Sequence, residues 1–118
     1  MLNPSKFTAL QILTSIYGEN HDSVAYVLQK IGMILFRAGN LQKALNYLEK
    51  AVDTFRRLGE DYSHQLATPL FIAGNIHHIL QQTEEAHLMW EDTFETMINA
   101  GGGGNQEMMN TLSNLIDV

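Results

Sequence analysis

The sequence predicts an all-α fold, a solenoid of stacked antiparallel helix hairpins, on three observations. Residues 32–51 read as the end of one helix, a turn at Gly39 and Asn40, and a second helix folded back on the first. Ile31, Leu35, Leu41, Leu45, Leu48 and Val52 form an apolar stripe at helical spacing across this stretch. Small residues at Gly32, Ala44 and Ala51 fall where the two helices of such a hairpin come closest. Finally, the sequence matches itself at an offset of 42 residues. Ala25, Leu28, Gly32, Ile34, Ala44, Leu48, Ala51 and Val52 fall on Ala67, Leu70, Gly74, Ile76, Ala86, Trp90, Thr93 and Phe94. A fixed period of this length marks units that cannot bury their own apolar face and must stack on neighbours.

In chain order, Asn3 and Pro4 make a helix start, with Asn as cap and Pro where a missing N–H costs nothing. The helix that follows carries Phe7, Leu10, Leu13 and Ile16 on one face and stops at Gly18. At the 42-residue offset Ala9, Leu10, Leu13 and Ile16 land on Ala51, Val52, Phe55 and Leu58, so residues 3–18 are the second half of a repeat. A first complete repeat spans residues 22–59. Asp22 or Ser23 is expected to cap its first helix, Gly39 to stop it and Asn40 to cap the second. Arg56 and Arg57 suit the dipole at that helix's end, before Gly59.

A second repeat spans residues 62–100. Its turn is Gln81-Gln82-Thr83, with Thr83 as the expected cap and Glu84 and Glu85 in the first turn after it. Pro69 falls one or two turns inside the expected first helix, so either that helix is kinked near Ala67 or it begins later with Thr68 as cap. Gly101-Gly102-Gly103-Gly104 reads as a flexible connection, since no Lys or following Ser/Thr is placed to engage a phosphate. Residues 105–118 then form a half repeat in which Leu112 keeps the register of Leu28 and Leu70. The expected total is six helices in a single domain of residues 1–118.

Gly32, Ala44, Ala51, Gly74 and Ala86 resemble the small residues of the tetratricopeptide repeat. The junctions at residues 18–25 and 59–67 resemble the linkers of the 42-residue variety found in kinesin light chains and nephrocystin-like proteins. The resemblance implies a right-handed α-α superhelix and a protein-interaction role, as scaffold or adaptor, without catalysis. It also implies that the first helices of successive repeats line a concave groove holding a partner's peptide or helix. Counted from Ala25 and Ala67, the groove places are Tyr26, Gln29, Met33, Phe36, Arg37, Thr68, Phe71, Asn75 and His78, continued by Asn110 and Ser113. Tyr, Phe, Met and Arg are interface-prone types; the bland alternative is that Met33, Phe36 and Phe71 only fill space between helices. Some relatives grip a C-terminal carboxylate with Lys, Arg and Asn on these helices. Here the places hold Gln29, Met33, Ile72, Asn110 and Ser113, without positive charge, so a clamp of that kind is excluded.

Composition narrows the partners. The 118 residues hold 7 Lys and Arg against 13 Asp and Glu, a net charge of -6, with no basic stripe for a phosphate backbone. Nucleic acid is therefore not an expected partner. No apolar run is long enough to span a bilayer, and the absence of cysteine excludes disulfides and thiolate metal sites. A soluble, cytoplasmic setting follows as an expectation, with no cofactor. Glu84 and His87 form a single E-x-x-H, whereas a di-iron bundle needs two such pairs and further carboxylates, so a capped helix start is the better reading. The alternative function is homodimerisation through the terminal helices.

Overall fold

A computed structural model describes residues 6–99, together with Leu112, Ser113 and Leu115. The expected helix start at Asn3 and Pro4, the glycine stretch, Asn110 and most of the last helix lie outside the described residues. The described part contains α-helices and no strand. α1 runs Lys6–Tyr17, α2 Asp22–Arg37, α3 Leu41–Leu58, α4 Ala67–Ile79 and α5 Thr83–Asn99. A 3-10 helix at Glu60–Gln65 joins α3 to α4. Leu112, Ser113 and Leu115 are helical.

α2 and α3 form one antiparallel hairpin and α4 and α5 the next; α1 packs on α2, and α3 packs on α4. α2, α3 and α4 thus each bury one stripe against a hairpin partner and a second against a neighbouring unit, as the 42-residue period requires. Leu10 and Leu13 of α1 rest on Val24, Leu28 and Ala51. Ala25, Val52, Phe55, Leu66 and Leu70 form the core between the hairpins, continued by Ala44, Leu45, Leu48, Ala73 and Ile76. Leu112 is buried with Ala67, Ala86 and Trp90, and Leu115 packs on the same cluster. Ile16 departs from the expected apolar face: it is 65% exposed, because α1 packs against the α2–α3 hairpin on one side, whereas α3 lies between α2 and α4.

The helix ends correct several expected caps. α2 is capped by His21, whose Nδ1 accepts the Ser23 N–H at 3.1 Å, and not by Asp22 or Ser23. An imidazole nitrogen here takes the place of the Ser or Asp oxygen that usually caps. Asn40 precedes α3 but makes no side-chain cap bond. Thr83 is the first residue of α5, and the Ala86 N–H reaches the carbonyl of Gln82 before it. Pro69 does not push the start of α4 back to Thr68. The 3-10 helix takes up the preceding residues, α4 begins at Ala67, and Pro69 falls in its first turn, where an N–H has no helical partner.

Both hairpin turns use one device. After α2, Gly39 N–H bonds the Phe36 carbonyl and Asn40 N–H the Leu35 carbonyl, with Gly39 at φ +84. After α4, Gln81 N–H bonds the His78 carbonyl and Gln82 N–H the His77 carbonyl, with Gln81 at φ +63. This pair of bonds needs one left-handed residue, which glycine adopts freely and glutamine adopts at a cost. His77 helps to hold the second turn, since its Nδ1 lies 2.6 Å from Gln82 Oε1.

Candidate partner-binding groove

The inner side of each hairpin is set by a glycine facing a large residue. A Cβ on Gly32 would lie 2.7 Å from Leu48 Cγ, and a Cβ on Gly74 would lie 2.5 Å from Trp90 Cδ1 and Nε1. Both glycines let two helix backbones approach until a side chain of one lies on the bare backbone of the other. Leu48 and Trp90 are buried, at 0% and 2% exposure. This packing seats α3 on α2 and α5 on α4, and the expected groove places lie elsewhere on α2 and α4.

On α2, Tyr26, Gln29, Met33, Phe36 and Arg37 recur at helical spacing. Tyr26 is exposed and leans edge-on against Phe55, with ring centroids 5.2 Å apart, so the ring is fixed while part of it faces solvent. Gln29 Nε2 lies 4.0 Å from Met33 Sδ. Arg37 is exposed at the end of the helix, and Phe36 is half-buried against the core between the hairpins. α2 contains one acidic residue, Asp22, in its first turn. Its carboxylate accepts the Tyr62 hydroxyl at 3.1 Å. That bond, with burial and the nearby negative charge, raises the Tyr62 pKa above the ordinary tyrosine value.

On α4 the corresponding side chains are more fully engaged inside the chain. Asn75 Oδ1 accepts the Trp90 indole N–H at 3.2 Å. The His78 ring lies 5.5 Å from the Trp90 ring, and His87 lies on the same ring at 5.8 Å. Phe71 packs on the cluster containing Trp90 and Leu112. Thr68 is half-buried and His78 exposed, as is Ser113 beyond them. The indole thus organises this half of the face through Asn75 and His78, a consequence of placing Trp where the first hairpin has Leu48.

Sequence reasoning missed part of the α2 face. Lys30 and Ile34 join Met33 and Arg37 around an open cleft of about 190 Å³. By the repeat register Ile34 matches Ile76, which is fully buried, yet Ile34 is 45% exposed. α3 supplies Ala44, Leu45 and Leu48 beside Ile76, whereas the described α1 begins at Lys6, the counterpart of Leu48. The signal was legible as Lys30-Met33-Ile34-Arg37, a single stripe with cations at both ends.

The E-x-x-H pair and the question of a metal site can be placed among the described residues. These residues contain no group of three or more His, Asp or Glu placed to hold a metal ion. Glu84 is exposed and His87 is turned onto Trp90. No helix among them is long and apolar enough to cross a membrane.

Antiparallel hairpins stacked at a fixed period, with a glycine at each close approach, define a helical repeat protein. The family model for the tetratricopeptide repeat matches residues 8–56 and again 23–99, and the chain belongs to the tetratricopeptide repeat family. Repeats of this family act as non-catalytic modules of protein–protein interaction. A comparison with curated proteins gives no match.

Proposed function

We propose that this chain is a scaffold that receives a peptide or helix of another protein along the concave face, chiefly on α2. The observation that supports this is a rigid helix whose outer stripe remains uncovered. Tyr26 is 37% exposed and Ile34 45%, with Arg37 also exposed, while the opposite side of α2 is locked by Leu48 over Gly32. A preorganised apolar and aromatic surface binds with little ordering cost, and exposed aromatic and Arg side chains are the types that dominate binding energy. α4 extends the surface through Thr68, Phe71, Asn75 and His78, with Asn75 and Phe71 acting as its floor.

In this reading the chain works in the cytoplasm without catalysis, cofactor, nucleic acid or membrane. The acidic balance and the lack of cysteine agree with it. Selection of a phage-displayed peptide library on the chain supplies a ligand. Tyr26→Ala, Met33→Ala and Arg37→Ala should each weaken the selected peptide about tenfold, the scale of an interface hot spot. If all three leave its affinity unchanged while helicity is retained, the α2 face is not the site.

A further inference from the structure

Charge divides this chain along its length. Residues 1–58 hold all seven Lys and Arg beside four Asp and Glu, a balance of +3. Residues 59–118 hold the other nine acids and no Lys or Arg, a balance of -9. The acids concentrate on α5, where Glu84, Leu88, Glu91 and Glu95 share one exposed stripe. Leu88 is 63% exposed on this stripe, at a place where the first hairpin carries exposed Asn46.

The α2 cleft has the complementary pattern. Lys30 and Arg37 stand seven residues apart with Met33 and Ile34 between them. Glu84 and Glu91 stand seven residues apart with Leu88 between them. Seven residues of helix span about 10.5 Å, so the two stripes match in length as well as in sign. Among the described residues Arg56 is the only Lys or Arg in an ion pair, with Asp92 at 2.6 Å, which leaves Lys30, Arg37, Glu84, Glu91 and Glu95 outside such pairs. α2 makes no contact with α5 within the chain.

We propose that the acidic Leu88 stripe of α5 in one copy docks on the Lys30–Arg37 cleft of α2 in a second copy, joining chains head to tail. Leu88 sits against Met33 and Ile34, and the flanking glutamates meet Lys30 and Arg37. The two surfaces differ, so the contact is heterologous and each docked pair keeps one free α2 face and one free α5 face. Growth therefore continues past the dimer. A single helix on a cleft is a small contact beside the roughly 1,600 Å² of a stable complex, so association is weak and depends on concentration. Charge drives it, so it also depends on salt. Met33 and Arg37 belong to the proposed groove as well, and the inference rests on that reading to this extent: a peptide held there competes with the second copy.

Sedimentation velocity over a range of concentrations tests this. At low salt the average mass should rise above the monomer without stopping at the dimer, and return to the monomer at ~0.5 M salt, where screening reaches within a few Å. Lys30→Glu and Leu88→Glu change exposed side chains outside the groove list, and circular dichroism checks that both fold. Each alone should be monomeric at concentrations where the parent associates. Mixed in equal amounts they should form a one-to-one pair that does not grow, because one intact α2 cleft and one intact α5 stripe remain. A parent that stays monomeric, association indifferent to salt, a parent that stops at the dimer, or a mixture that stays monomeric would each overturn the proposal. None of these outcomes bears on whether Tyr26→Ala weakens the selected peptide.

Discussion

The two hairpins share one register but finish their inner faces differently. In α2 and α3, Leu48 lies on Gly32 and ends there, so Tyr26, Met33 and Arg37 remain available along the face. In α4 and α5, Trp90 lies on Gly74 and reaches further. Its N–H takes Asn75, and its ring gathers His78 and His87. One larger residue at an inner place thus turns part of the proposed recognition face into packing. The period conserves the contacts that stack the units, while the residue over each glycine sets how much of the face is left for a partner.

The largest expected effect comes from removing that residue. Trp90→Ala should cost about 4 kcal/mol in urea unfolding, the range for truncating a buried aromatic side chain. The peptide affinity carried by α2 should survive in the folded fraction. Next come the paired glycines. Gly74→Ala presses a methyl into a buried indole whose N–H is tied to Asn75, and should cost about 2 kcal/mol. Gly32→Ala brings its methyl 2.7 Å from Leu48 Cγ and 3.3 Å from the Ala44 carbonyl, a slightly wider approach than the 2.5 Å at Gly74, so its net cost should be smaller, about 1 kcal/mol. Equal losses at the two sites would break the comparison.

A smaller effect separates the turns. Gln81→Gly should stabilise the chain by about 1 kcal/mol, because a left-handed glutamine is replaced by a residue that adopts this conformation freely. Gly39→Gln should destabilise by a similar amount, about 1 kcal/mol. The smallest effect concerns the bond from the 3-10 helix back to α2. The raised pKa of Tyr62 means that the folded chain holds this proton more tightly than the unfolded chain. Its contribution is present below the ordinary tyrosine value of about 10 and is lost as pH rises through the raised value. Stability followed by denaturant from neutral to alkaline pH should therefore fall less in Tyr62→Phe than in the parent.

The stacking was legible because it repeats. Gly32 with Gly74, Leu28 with Leu70 and Ala44 with Ala86 keep one chemistry at one offset, and all six are buried. The helix ends were less legible, because several acceptors serve equally well at a cap. His21 displaces the expected Asp22 and Ser23, and the Gln81 turn reproduces the Gly39 geometry without glycine. Pro69 looked disruptive only because the 3-10 helix before α4 leaves no mark in the apolar pattern. On the groove, spacing placed Tyr26, Met33 and Arg37 on one helix face, but it could not show that Asn75 is held by Trp90. That bond joins residues 15 apart on different helices. Nor could the period reveal the exposure of Ile34, since its counterpart Ile76 is buried by a longer neighbour.

The most direct measurement is amide chemical-shift mapping of the isotope-labelled chain titrated with a peptide selected from the displayed library. The account predicts perturbations that follow α2 from Tyr26 to Arg37, with weaker ones at Thr68 and His78 on α4. Perturbations confined to α3 or α5, with the α2 amides unmoved at saturation, would contradict it.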